Sequence, residues 1–212
     1  MYILHIAFKN ILREKRRTIL TFMMFSFGIA SYIIMAGMLE GTDRMSIKNL
    51  IEHETGHMMV RSSDYSDDHP YDEEGMLDGS LAQETIAFLE TKQFVTGIAP
   101  RLEFLAELDN AKDALAVTAV GVDPDRDRTV FDFSQAIRSG DLQSGSCVIG
   151  RELAGDLNVK TGDIVYLTFK NRNGMYTSID LEIVEEIVTT NPAIHASTVY
   201  LSINEAREML AS

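Results

Sequence analysis

Ile19 to Leu39 form 21 consecutive uncharged positions, rich in Ile, Met and Phe. A helix of that length spans about 31 Å at about 1.5 Å per residue, which matches a bilayer hydrocarbon core of about 30 Å. Core helices of soluble domains seldom run so far without a charge. They also seldom follow a block such as Arg13-Glu14-Lys15-Arg16-Arg17. A cleaved signal peptide would carry a shorter apolar stretch, of about 7–15 residues, ending in small residues. Here the run ends Gly37-Met38-Leu39-Glu40. A transmembrane helix over residues 18–41 is therefore expected.

The charge distribution gives that helix a direction. Residues 1–17 hold Lys9, Arg13, Lys15, Arg16 and Arg17 against Glu14, a balance of +4, so a chain of net charge −13 carries −17 beyond the apolar run. Basic residues flanking a span stay on the cytoplasmic side, with Arg13, Lys15, Arg16 and Arg17 setting the topology. This puts the N-terminus in the cytoplasm of a bacterial inner membrane and residues 42–212 in the periplasm. An acidic domain with its cations confined to one terminal block is a poor binder of phosphate backbones, so nucleic acid is not an expected partner. Cys147 is the sole cysteine, which rules out an intrachain disulfide and a multi-cysteine metal site.

On the span, Ser26, Ala30, Gly37 and Gly41 recur at intervals of four, seven and four, so small residues share one face on which a second helix could pack closely. Before it, Ile3, Leu4, Ala7, Phe8, Ile11 and Leu12 face away from His5, Lys9, Asn10 and Arg13. That pattern predicts an amphipathic helix lying on the cytoplasmic surface. The aromatic residues Tyr2, Phe8, Phe22 and Tyr32 stand in for a Trp girdle.

Beyond the span, Met45, Leu50 and Ile51 keep a helical spacing through residues 40–52, predicting a stalk, and Met58-Met59-Val60 reads as a first strand. Ser62 to Gly79 is rich in Ser, Asp, Glu, Gly and Pro and predicts a mobile loop. A capping box at Ser80–Gln83 opens a helix carrying Leu81, Ile86, Phe88 and Leu89. Strands are expected at Ile98–Leu108 and Ala114–Val122 around an Asp109–Asp113 turn. Further strands are expected at Cys147–Ile149, at Ile164–Phe169 after Thr161-Gly162-Asp163, around Ile179, Leu181 and Ile183, and at Thr198–Leu201. Phe131–Ile137 and Arg151–Leu157 read as short helices. Ser202 with Glu205 forms a second capping box ahead of Ala206, Met209 and Leu210. The fold class is α+β: one N-terminal transmembrane helix followed by a mixed extracytoplasmic domain with an inserted smaller subdomain. Residues 42–122 and 164–212 would form the membrane-proximal part and 123–163 the insertion.

Candidate chemistry is sparse. His53-Glu54-Thr55-Gly56-His57 has the H-E-x-x-H form, in which one helix face would present two imidazoles to zinc. Gly56 weakens that helix and a strand-like run follows directly. His69 or Glu73 could be nominated as a third ligand, but the motif reads as a helix-to-strand junction. The cluster Asp64, Asp67, Asp68, Asp72, Glu73 and Glu74 lacks the glycine an EF-hand needs at its sixth position, where His69 stands, and reads as a solvated loop. Neither a G-x-x-x-x-G-K-[ST] nor a G-x-G-x-x-G motif occurs, and no catalytic residue, metal or cofactor is expected.

Several short motifs occur together in order: Ala7-Phe8-Lys9-Asn10-Ile11-Leu12-Arg13, Lys15-Arg16-Arg17-Thr18, the span, Thr55-Gly56-His57, Gly121-Val122-Asp123-Pro124, Val148-Ile149-Gly150-Arg151-Glu152-Leu153-Ala154, Gly162-Asp163 and Val199-Tyr200-Leu201. None is specific by itself. In this order they resemble the MacB/FtsX-type permeases of ABC transporters across essentially the whole chain. The chain departs from that pattern at Glu186-Ile187, where the family often has Gly-Ile. The resemblance implies a periplasmic core domain of two subdomains, in which His57 belongs to a Gly-His at a strand start with no metal. It also implies three further membrane helices, a partner ABC ATPase that performs the ATP hydrolysis, and a second permease subunit in a homo- or heterodimer. On that reading the chain is not itself an enzyme and corresponds to the N-terminal half of a permease. Its periplasmic domain would move to extrude or release a lipoprotein or other hydrophobic substrate, with the lipoprotein-releasing branch the nearest. The alternative is a stand-alone membrane-tethered binding or chaperone module.

Overall fold

The computed structural model describes residues 13–66, 68, 71, 75–131, 137, 142–171, 173–188 and 196–211, without the side chains of His53 and Glu54. The chain divides into two units, residues 1–48 and 49–212.

The described residues of the first unit are essentially one helix. α1 runs unbroken from Lys15 to Leu50, 36 residues with none buried. It contains the expected span and continues as the expected stalk through residues 40–50. A π-helical turn over Ile51–Thr55 then ends at Gly56, whose φ of 63° is a left-handed value that a side chain disfavours. The cytoplasmic amphipathic helix falls mostly on residues 1–12, outside the described residues.

The second unit is a mixed α+β domain built on six strands: β1 Arg101–Asp109, β2 Ala114–Val122, β3 Ser146–Gly150, β4 Ile164–Lys170, β5 Tyr176–Ile187 and β6 Thr198–Ser202. Helices α2 Gly79–Glu90, α3 Pro124–Asp127, α4 Arg151–Asp156 and α5 Ile203–Ala211 connect or flank them. The strands close into a barrel in the order β1-β2-β6-β3-β5-β4, with β1 also pairing β4. The β1–β2 and β4–β5 hairpins are antiparallel, whereas β2–β6 and β3–β5 pair in parallel. β3, which lies within 123–163, pairs with β5 on one side and with β6 on the other.

Alternation explains the closure. Along β4, Val165, Leu167 and Phe169 point inward while Ile164, Tyr166 and Lys170 are exposed. Phe169 meets Phe104 of β1 edge-to-face, with centroids 5.7 Å apart. β3 and most of β6 are buried on both faces. One side belongs to the interior cluster with Cys147, Ile149, Val199 and Leu201, the other to a second cluster of Val120, Val148, Ile187 and Tyr200 joined by Ile137 and Leu142. α5 packs Ala206, Met209 and Leu210 into the interior cluster and lies close on β2. A Cβ at Gly121 would stand 2.5 Å from Ala206 Cβ and 3.2 Å from Ile203 Cα.

Several local expectations change. β1 begins at Arg101 rather than Ile98, because Pro100 lacks the N–H that the ladder needs. Met58–Val60 forms no strand: the residues are 40 to 75% exposed and have no ladder partner among the described residues. β1 takes β4 as its second neighbour along Ala106–Asp109. The N-cap of α2 is Asp78 rather than Ser80, whose hydroxyl instead donates to Asp78 Oδ2 at 2.5 Å. Of the expected 131–137 helix, residues 132–136 lie outside the described residues, and neither Phe131 nor Ile137 is helical. The described residues of the 62–78 loop carry turns and an isolated bridge at Ser66; Asp67, His69, Asp72, Glu73 and Glu74 lie outside them.

Candidate functional site

α1 is the first candidate. Arg13, Lys15, Arg16 and Arg17 sit exposed at its start, and Thr18 and Thr21 return their hydroxyls to the carbonyls of Glu14 and Arg17, four residues back. Fourteen large apolar side chains between Ile19 and Leu39 are exposed. At about 1.5–3 kcal/mol for each one left in water, this surface represents roughly 20–40 kcal/mol. That exceeds the whole stability of a typical domain, about 5–15 kcal/mol. The helix is long and apolar enough to cross a membrane, and an apolar medium is what its surface fits. Ser26, Ala30, Gly37 and Gly41 fall within one arc of it, and nothing stands within 4 Å of where a Cβ would be at Gly37 or Gly41. This face is open among the described residues.

The H-E-x-x-H segment does not lie on one helix. The π-turn ends at Thr55 and the backbone turns at Gly56, so exposed His57 follows the break. The two histidines therefore lack the i, i+4 relation that a zinc site of this type requires. Gly56 is buried, with Val130 Cγ1 at 3.2 Å from its missing Cβ, and Thr55 Oγ1 donates to the Gly56 carbonyl at 3.0 Å. No group of three or more metal-binding side chains occurs among the described residues.

The Gly121-Val122-Asp123-Pro124 motif organises the strongest polar contact of the domain. Asp123 caps α3, accepting from the N–H groups of Asp125 and Arg126 at 3.1 and 3.4 Å, with Pro124 at the first helical position. The short helix then delivers Asp127 into the interior. Fully buried, Asp127 accepts two bonds from Arg101 at 2.7 and 2.8 Å. The Arg101 guanidinium also lies over the Phe131 ring, 3.4 Å from its centroid. A bidentate pair with an aromatic lid is a structural lock tying the start of β1 to α3. Beside it an open groove of about 530 Å³ runs between α2, the Asp123–Arg126 segment and the first turns of α5. Arg126 bridges its walls, 3.1 Å from Glu90 Oε1 and 3.9 Å from Asp123 Oδ2. Sequence reasoning missed the Arg101–Asp127 pair. The one local signal was the Asp123-Pro124 helix start, which places Asp127 one turn on.

Glu205 was expected to reach back to the start of its own helix. Instead its Oε1 accepts the Gly145 N–H at 2.7 Å and the Ser144 hydroxyl at 3.5 Å, holding the turn before β3 against α5. Its Oε2 is buried with no hydrogen-bond partner among the described residues. Burial raises its pKa above the ordinary value, and the negative charge of Glu208 adds to this, against the bonds from Gly145 and Ser144. Burial also pushes the Cys147 thiol up to about 12, with Glu205 contributing.

Residues 18–211 match the family described as the MacB-like periplasmic core domain. Among solved structures, the extracellular domain of the noncanonic ABC-type transporter YknZ from Gram-positive bacteria is similar at 15% identity. That match has a TM-score of 0.39 and covers 59% of this chain and 64% of that one. No curated protein matches the chain by sequence.

Proposed function

We propose, from the premise that this chain belongs to the MacB-like periplasmic core domain family, that it is a membrane-anchored permease component of an ABC transporter. The observation that carries the reading is the union of two features in one chain: a family match across residues 18–211, and a helix running without interruption from Lys15 to Leu50, none of it buried, whose Ile19–Leu39 stretch is uncharged. At about 1.5 Å per residue, the uncharged stretch fills a bilayer core and Glu40 to Leu50 extends the same helix beyond it. A continuous helix of this kind carries displacement along its axis, which a flexible tether does not.

In this reading α1 crosses the bacterial inner membrane. Arg13, Lys15, Arg16 and Arg17 hold its start in the cytoplasm, and residues 42–212 lie in the periplasm. Ser26, Ala30, Gly37 and Gly41 form the face that receives another membrane helix. A separate ATPase subunit hydrolyses ATP, a second permease subunit completes the assembly, and the periplasmic domain transmits the resulting motion to a substrate. A lipoprotein or other hydrophobic cargo is the class we favour. The chain spans 64% of the length of the solved extracellular domain it matches, and this assembly extends the proposal beyond the segment in hand.

The deciding experiment is affinity purification of the full chain from native membranes in mild detergent. Recovery of an ABC ATPase, directly or through a second permease subunit, is expected. Its repeated absence would overturn the reading in favour of a stand-alone tethered module. Topology is checked by adding protease to spheroplasts, where residues 42–212 should be digested; protection of that segment would refute the orientation.

A further inference from the structure

The outer wall of the barrel presents an arrangement that the transport reading does not use. Because β1, β4 and β5 pair antiparallel in a fixed register, Tyr166 stands directly across from Asp180 on one side and Asp109 on the other. Cross-strand partners have Cβ atoms about 5 Å apart, so Asp180 and Asp109 are the cross-strand neighbours of Tyr166, with Asp109 Oδ1 also accepting the Ala111 N–H. The next rung places Glu107 across from Thr168, and the rung beyond Tyr166 places Glu182 across from Ile164. Alternation turns all of these residues outward, opposite the buried Val165, Leu167 and Leu181. Large apolar side chains are exposed on the same wall: Ile164 at 58%, Leu105 at 61%, Tyr166 itself at 44% and, at its far end across from exposed Lys170, Tyr176 at 79%.

Exposed aliphatic and aromatic side chains set among carboxylates suit one kind of occupant. An aromatic face attracts a cation, and flanking carboxylates strengthen that attraction and supply acceptors for its N–H groups. The ion pairs Arg101–Asp127, Arg126–Glu90, Arg128–Asp125 and Arg151–Glu186 and the cation–π contacts at Tyr65, Phe88 and Phe131 lie away from this wall. We propose that the Asp180–Tyr166–Asp109 rung docks an Arg or Lys side chain of a partner protein whose neighbouring residues are apolar and cover Ile164, Leu105 and Tyr176. Charge complementarity selects this occupant. A second copy brings the same carboxylates and the −17 charge beyond the span, and an anionic lipid surface is repelled. At Tyr166 the main chain is paired on both sides, so recognition there is through side chains on the face. The site is independent of whether an ATPase drives the chain.

The test uses the full chain in zwitterionic lipid nanodiscs, with a fluorescent 11-residue peptide alternating Arg with Val and its Glu-for-Arg counterpart as probes. Saturable binding of the Arg peptide is expected, weakened at least about tenfold by Asp180→Lys and by Tyr166→Ser. Glu152→Lys and Glu208→Lys make the same charge change at exposed positions away from the wall and should leave affinity within about twofold. Asp180 is exposed, so Asp180→Lys tests the site even if Tyr166→Ser lowers stability. The proposal is overturned if the Arg peptide does not bind, if the Glu peptide binds equally well, or if the two control variants lose as much as Asp180→Lys. Sedimentation showing dimers that Tyr166→Ser dissolves would assign the wall to a second copy and overturn it equally.

Discussion

The Arg101–Asp127 pair is where single side chains matter most to this domain. Its partners lie 26 positions apart, with side-chain exposures of 10 and 0%. Removing the carboxylate leaves a guanidinium buried without its partner, so Asp127→Ala should cost about 3–5 kcal/mol. A urea unfolding curve followed by far-UV circular dichroism reads this directly, and an unchanged midpoint would show that the lock contributes nothing. Glu205 makes a prediction about pH. Its folded pKa is raised, so the folded protein holds the proton more tightly than the unfolded chain. The stability it contributes is fully present below the ordinary carboxyl pKa and is lost as pH rises through the raised value. Glu205→Gln keeps an oxygen for the Gly145 N–H but carries no charge at any pH. Relative to wild type it should gain stability as pH rises above the ordinary carboxyl range, and parallel pH profiles would contradict the assignment. Cys147, with its thiol pushed up to about 12, should resist maleimide at neutral pH until the domain is unfolded. Rapid labelling of the native protein would mean that the barrel opens.

α5 seats on β2 because Gly121 leaves room for it. Ile203 and Ala206 approach so closely that even one added methyl group has no space. Gly121→Val should therefore displace the helix and destabilise the domain by about 1–3 kcal/mol, measured by the same unfolding assay. Full stability would show that the helix moves without cost. The strands were legible in the sequence wherever one face is dry and the other wet, as in β4 and β5. β3 and β6 read instead as short continuous apolar runs, because both their faces are covered. Met58–Val60 has the composition of a strand but no ladder partner among the described residues, and composition does not supply the pairing hydrogen bonds. The capping boxes failed for a related reason: Asp78 precedes Ser80 as the cap of α2, and a turn brought in from far along the chain captures Glu205.

The molecule divides at residue 48, and the second unit holds its own closed barrel and core. Residues 49–212 should accordingly fold and stay monodisperse without detergent, as judged by size-exclusion chromatography and circular dichroism. Aggregation of that fragment would show that the domain depends on α1. The full chain should require detergent or lipid, since α1 carries an apolar surface that none of the described residues of its own unit covers.

The spanning helix, its charged flank and the acidity of the remainder follow from runs of adjacent residues. Contiguous hydropathy and local charge set them whatever the rest of the chain does. Turns such as Asp109–Asp113 are equally local: the Asn110 side chain accepts from the N–H groups of Lys112 and Asp113 at 2.9 and 2.8 Å. Barrel closure, the Arg101–Asp127 lock, the diversion of Glu205 to Gly145 and the Asp180–Tyr166–Asp109 rung had no such local mark. Each depends on which distant strand lies alongside which and in what register. That choice is made by the packing of a shared interior, which no short stretch of sequence contains.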